Sequence, residues 1–211
     1  MITLHTNHMA YTAKPLPFSS ELTGISKKTI EIHHDKLYAG YVAKLNEVWE
    51  KLGAARDNAD VQAAANQTYS ELRSLRSAET FAANGVYLHE AYFNVLGGNG
   101  APSGALADAI AAKWGSVEKF IAYFSASGMA MRGWVVLAYN TNSGELNIFG
   151  ADAHNEGGVW GCIPLIVLDV YEHAYFIDYG SDRKKYIADF WKNLDWAAAN
   201  AIYEKIIHMT A

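Results

Sequence analysis

The chain has 211 residues, 51% of them hydrophobic and 18% charged, a composition that can bury a sizeable core and argues against disorder. Its formal charge of −5, with 17 Lys and Arg against 22 Asp and Glu and no long basic stripe, argues against a dedicated nucleic-acid binder. No window approaches eighteen uninterrupted apolar residues, so no membrane span is expected, and a single cysteine, Cys162, permits no intrachain disulfide.

Residues 1–25 read as an irregular arm punctuated by Pro15, Pro17 and Gly24, without the basic-then-apolar pattern of a secretory leader. Ser26 is the expected N-cap of a long helix running to about Leu52. Within it Ile30, His33, Leu37, Tyr41 and Leu45 recur at three- and four-residue steps as one stripe, and Gly53 reads as the stop. A second helix is expected over 60–75 and a third over 78–96, closed by Gly97 and Gly98. The Gly- and Pro-bearing stretch 97–104 predicts a boundary between an N-terminal domain, 1–98, and a C-terminal domain, 99–211.

Helices are expected over 105–114 and 116–127, with Gly115 between them. After Gly133 the pattern changes. Residues 134–139 are β-branched and aromatic, 145–149 alternate, and 140–144 form a hairpin turn between them. The apolar run 163–170 reads as a third, buried strand, and helical patterns resume around Glu172 and from Arg183. Cys162, beside that run, is expected to be buried and inert, and the cysteine usage fits a reducing, cytoplasmic compartment.

Asp169 ends a run of six mostly apolar residues. An ionised carboxylate there costs several kcal/mol, as an order of magnitude, unless something compensates it. His173 follows four residues later, which is ligand-pair spacing if the chain turns helical. A metal cation explains both residues, and a strand-end Asp capping the next helix explains the first alone. His33, in the stripe of the first helix, and His89, among Leu88, Tyr92 and Phe93, both point inward. Either one alone reads as a satisfied core histidine. Three inward histidines and one buried carboxylate favour a common ion, with iron, manganese and zinc all compatible.

These residues, in this order, resemble the iron/manganese superoxide dismutases across nearly the whole chain. The first-ligand motif is matched by Glu31-Ile32-His33-His34-Asp35-Lys36 with Tyr41-Val42 downstream, and the second by Asn84-Gly85, His89 and Tyr92-Phe93. The signature is matched by Asp169-Val170-Tyr171-Glu172-His173-Ala174-Tyr175. Gly133-Trp134 matches the family's glycine–tryptophan strand, and Arg183, Tyr186, Phe190-Trp191 and Trp196 its C-terminal pattern. The resemblance implies an α+β fold: an N-terminal antiparallel helical hairpin domain and a C-terminal α/β domain with a three-stranded antiparallel sheet. It implies one iron or manganese ion held by His33, His89, Asp169 and His173, with solvent as fifth ligand, and dismutation of superoxide to dioxygen and hydrogen peroxide. If each electron arrives with a proton, the net charge of the buried site never changes, which avoids a large desolvation penalty.

The resemblance further implies that His154 touches the bound solvent, that Tyr41 is the gateway tyrosine, that Trp134 walls the pocket, and that Arg183 supplies positive potential for an anionic substrate; Lys36 reads rather as exposed solubilising charge. Glu172 is implied to bridge to the opposite subunit of a homodimer, with a tetramer as the larger form. Gly85 where some members carry Gln resembles manganese forms, whereas a histidine at 154 resembles iron or mixed-metal forms. Iron is expected on balance, with use of both metals open. Tyr171 replaces the usual Trp, Leu37 a frequent His, and Phe176 a frequent Tyr. The last two form a pair that has become apolar together, as a buried polar pair should when it is lost. The rival reading is a non-catalytic metal-binding structural or assembly module that retains the fold.

Overall fold

In the computed structural model, residues 10–210 are described. The part of the expected arm before residue 10 lies outside them; residues 10–25 are irregular, as the prolines predict. Ser26 caps the first helix, α1 (Lys27–Ile32), its side chain accepting from the Thr29 N–H. The helix then widens into a π-helical turn, His33–Tyr38, where the Ala39 N–H reaches back five residues to the His34 carbonyl, before continuing as α2 (Ala39–Arg56).

That wider turn corrects the predicted stripe. The buried positions are Ile30, His33, Tyr38, Val42 and Leu45, so the step after His33 is five residues, and Leu37 falls half-buried at the side. Gly53 does not stop the helix. A single glycine costs about 1 kcal/mol against alanine, and Ala54, Ala55 and Arg56 carry the helix through.

The expected helices at 60–75 and 78–96 are also corrected. A short α3 (Ala59–Ala63) is followed by a turn in which Asn66 Oδ1 accepts from the Thr68 and Tyr69 N–H groups. Ser70 then caps one long helix, α4 (Glu71–Asn94), through the Arg73 N–H. Nothing in residues 75–78 breaks a helix. The helical run of α1, the π turn and α2 packs on α4 as a helical hairpin, its apolar seam including Leu45, Ala82 and Val86.

The C-terminal part begins with α5 (Gly104–Trp114) and α6 (Val117–Ala130), separated by Gly115 at φ +85°. Three antiparallel strands follow, β1 (Trp134–Asn140), β2 (Glu145–Ala151) and β3 (Cys162–Asp169), in spatial order β2-β1-β3. Pro164 sits on β3, an edge strand, beside a register shift at Leu137/Ala138, where a missing N–H is tolerated. The chain closes with a 3-10 turn (Glu172–Ala174), α7 (Phe176–Tyr179), α8 (Arg183–Lys192) and α9 (Trp196–Thr210). Cys162 is half-buried rather than buried, and burial pushes its thiol pKa up, which disfavours the reactive thiolate. Among the described residues no helix is long and apolar enough to cross a membrane.

Candidate metal centre

The sheet register gathers one end of the molecule. Trp134, the first residue of β1, pairs with Ala151 on one side and Asp169 on the other. His154, three residues beyond Ala151, and His173, in the turn after Asp169, therefore leave the sheet at the same edge. The hairpin supplies His33 from the π turn and His89 from α4.

The ligand atoms of His33, His89, Asp169 and His173 lie within 4.8 Å of one another. Asp169 Oδ2 is 3.1 Å from His33 Nε2, 3.2 Å from His173 Nε2 and 3.7 Å from His89 Nε2. The other oxygen, Oδ1, accepts the Tyr171 N–H at 2.8 Å. The turn-capping contact expected from the sequence thus uses Oδ1, and Oδ2 is left facing the three histidines. The four-residue spacing to His173 works through an extended residue and a 3-10 turn, not through a continuous helix.

The histidine tautomers can be read from their partners. The His89 Nδ1–H donates to the Gly85 carbonyl at 2.5 Å, so His89 Nε2 carries a lone pair. That atom is buried and has no hydrogen-bond partner, yet it faces a carboxylate oxygen. Two electron-rich atoms facing each other in a dry site repel, and a cation between them removes the repulsion. Three imidazole nitrogens and one carboxylate oxygen are the donor set of a borderline transition-metal ion, so these residues fit iron or manganese.

Electrostatics agree. Burial acts to raise the Asp169 pKa, but the His173 and His33 imidazoles outweigh it and hold the carboxyl well below its usual range. Burial pushes His89 down to about 3 and lowers His33 against the pull of Asp169, so both rings are neutral and ligand-ready at neutral pH. His173 is the exception: burial acts to lower it, but Asp169 raises it overall. Its side chain is also the only one of the four with substantial exposure, 27%.

A second chain of groups adjoins the cluster. The Trp134 Nε1–H donates to His154 Nδ1 at 2.9 Å, and His154 Nε2 meets the Tyr41 hydroxyl at 2.7 Å. Indole is a donor only, so the neutral His154 ring carries its proton on Nε2 and donates to Tyr41. Burial holds the His154 pKa down, to about 4, which keeps the ring neutral. The Tyr41 ring stacks on His89 at 5.4 Å, and burial, then Asp169, raises its hydroxyl pKa. Gly85 makes that approach feasible, since a Cβ there would lie 2.7 Å from Tyr41 Cδ1.

Aromatic rings wall the cluster. Trp134 stands edge-on to His89 at 5.0 Å, and Tyr171 stacks on His173 at 5.3 Å while donating to the Asp152 carbonyl. An open groove of about 840 Å³ reaches Tyr41; Lys36, Lys44 and Arg73 line it, with no acidic residue among its lining. Arg183 is committed elsewhere, donating to the Met131 carbonyl at 2.8 Å and to the Tyr175 hydroxyl at 3.2 Å. Leu37 lines the groove, and Phe176 is exposed. Sequence reasoning passed over Phe81, whose ring is 4.6 Å from that of His154, and the Tyr38–Glu90 pair. Phe81 lies eight residues before His89 on the same helix, a spacing legible in the sequence, whereas its contact with His154 across the fold was not.

Two family models match the chain: the alpha-hairpin domain of iron/manganese superoxide dismutases over residues 10–97, and their C-terminal domain over residues 102–202. The chain is 47% identical over 186 residues to an iron superoxide dismutase of Aquifex pyrophilus, covering 87% of this chain and 86% of the relative. It is 46% identical, over the same shares, to that of Aquifex aeolicus. A manganese superoxide dismutase of Halobacterium salinarum is 34% identical over 92% of this chain and 96% of the relative.

Proposed function

The chain belongs to the iron/manganese superoxide dismutase family, and from that premise we propose that His33, His89, Asp169 and His173 hold its single metal ion while His154 and Tyr41 deliver protons beside it. Its activity is the dismutation of superoxide. When bound there, iron or manganese would supply a one-electron couple for the oxidation of one superoxide to dioxygen and the reduction of a second, with two protons, to hydrogen peroxide.

The protein's own groups manage charge and protons. Asp169 brings the one negative charge into the cluster, beside the neutral rings of His33 and His89. Trp134 holds His154 in the tautomer that donates to Tyr41, and the Tyr41 O–H is left free to donate toward an incoming anion. The raised Tyr41 pKa keeps that proton in place between turnovers. Trp134 and Tyr171 exclude water from the ligand side, and the cationic groove lining opposes the repulsion of an acidic chain for an anion.

The observation that carries the ligand assignment is the buried, partnerless Nε2 of His89 facing the Asp169 carboxylate. We read iron as the preferred ion, with manganese also accepted; the greater identity to the Aquifex relatives, which are named for iron, supports this. We also read the chain as a homodimer in which the partner subunit's Glu172 reaches the exposed side of His173. Exposed Phe176 and Ile177 beside that residue support a covered surface there. The domain division after Gly98 follows the same reading.

The test is reconstitution of the apoprotein with iron and with manganese separately, followed by direct measurement of superoxide decay. Rapid decay with iron, and slower decay with manganese, is expected. Loss of activity with both metals would overturn the ligand assignment, and activity with manganese alone would overturn the preference for iron.

A further inference from the structure

Behind the two hairpin ligands lies a polar network that the chemistry above does not use. Glu90 directly follows His89 on α4, and its side chain is only 13% exposed. Its carboxylate accepts the Tyr38 hydroxyl at 2.8 Å and the Tyr11 hydroxyl at 2.8 and 2.9 Å, and it pairs with the Lys14 ammonium. Tyr38 is the last residue of the π turn that begins at His33, and it is 1% exposed. Its hydroxyl oxygen also accepts the Lys14 backbone N–H at 2.8 Å. The arm is pinned at both ends of this segment: Tyr11 and Asn46 exchange two hydrogen bonds, at 2.7 and 2.9 Å, and His34 Nε2 meets the Lys14 carbonyl at 2.9 Å.

We propose that Tyr38 and Glu90 are positioning residues, a clasp locked by the arm residues Tyr11 and Lys14 that fixes His33 against His89 for metal binding. This rests on the reading of those two histidines as ligands.

The physical argument concerns shear. The seam between α2 and α4 is apolar at Leu45, Ala82 and Val86, and such a seam tolerates small slides along the helix axes because apolar contact is not directional. A hydrogen bond of fixed length is directional. The Tyr38–Glu90 bond joins the residue five after His33 to the residue one after His89, so a slide that separates the ligands must first break it. The His33 and His89 rings lie 4.9 Å apart, and the Tyr38 ring lies 6.4 Å from that of His89 and 5.1 Å from that of His34, the neighbour of His33, so the clasp adjoins the ligand pair. A largely covered carboxylate is an expensive way to hold helices together, since apolar residues of similar volume often serve equally well. It does supply a unique register, and here that register is at the metal.

The test uses the full, metal-loaded chain and the variants Tyr38→Phe, Glu90→Leu, which removes the acceptor that a glutamine would keep, and the double variant. Two quantities are read: the rate of metal loss to a chelator, and the low-temperature electron paramagnetic resonance spectrum of the iron form. About tenfold faster metal loss is expected for each single variant, the size seen when groups supporting a metal ligand are removed, with a broadened spectrum. The double variant should be no worse than the worse single one, because both break the same bond. Val48→Ala, a buried position midway along α2, is the control that lowers the melting temperature without either change. The clasp is overturned if the variants lose metal and give spectra like wild type, if the two effects simply add, or if Val48→Ala matches them. A wild-type protein that takes up neither iron nor manganese would overturn the ligand reading as well, which separates the two failures.

Discussion

At the scale of single residues, the most consequential atom beside the cluster is the indole nitrogen of Trp134. It decides which nitrogen of His154 carries a proton, and so which way the Tyr41 proton can move. Trp134→Phe keeps an aromatic ring in the core and deletes only the donor. It should cost about 1–3 kcal/mol in a denaturant titration, because the buried His154 Nδ1 is left unsatisfied. Metal content should stay full while turnover falls, toward the ~10²-fold that one positioned proton donor contributes. His154→Ala should likewise keep its metal but shift the metal's redox potential. A Trp134→Phe protein with wild-type turnover would show that the tautomer is set by something else. These residues were visible in the sequence as types, since a histidine after a sheet strand and a tryptophan opening one are easy to notice. Their hydrogen-bond polarity was not, because it depends on a contact across twenty residues.

At the scale of elements, the π turn marks the limit of sequence periodicity. A regular helix places Leu37 on the buried stripe four residues after His33, whereas the wider turn places Tyr38 there five residues after it. The two readings predict opposite costs. With the π turn, Tyr38→Ala should lose about 3–5 kcal/mol, the range for a large buried ring, and Leu37→Ala far less; the reverse order in thermal unfolding would contradict the turn. Gly85 gives a second check on the same hairpin. Ala is the better helix former by about 1 kcal/mol, yet its Cβ would lie 2.7 Å from the Tyr41 ring. Overpacking of that kind costs about 1–3 kcal/mol, so Gly85→Ala should be neutral to destabilising and should move Tyr41 off His154; a stabilised variant with unchanged turnover would count against the close approach. Strands and caps were legible because their signals are local: Ser26, Gly115 and the 140–144 turn all act within a few residues. The five-residue step and the long α4 were not, since each depends on packing rather than on a local stop.

At the scale of the whole molecule, convergence decides function, and the sequence showed it only through the ordered set of motifs. Spacing cannot tell that His33, His89 and Asp169, scattered over 137 positions, meet within 4.8 Å; the sheet register and the helical hairpin bring them together. One member of the cluster, His173, is partly exposed, and the homodimer reading predicts that light scattering gives twice the chain mass of 23.2 kDa. Glu172→Ala should shift that equilibrium toward monomer and speed metal loss; a fully active monomer would remove the idea.

Charge at the same centre predicts how the metal-free protein responds to pH. His89, His154 and His33 have folded pKa values below the usual ~6.5, the first two near about 3 and about 4. Below pH ~6.5 the unfolded chain binds more protons at these three positions, so stability falls as pH drops. His173 is shifted the other way, upward by Asp169. Its contribution is fully present below ~6.5 and is lost as pH rises through its folded value. Asp169, shifted down, contributes above ~3.9 and loses that contribution only as pH falls through its folded value. The apoprotein should therefore be most stable near pH ~6.5, with an acid limb steeper than the alkaline one because three histidines act on the first and one on the second. The metal-loaded protein should lose the alkaline limb, since a cation takes the place of the His173 proton in balancing Asp169. Urea midpoints of both forms from pH 5 to 9 would decide the matter, and an alkaline limb of equal depth in the two forms would mean that no cation balances Asp169.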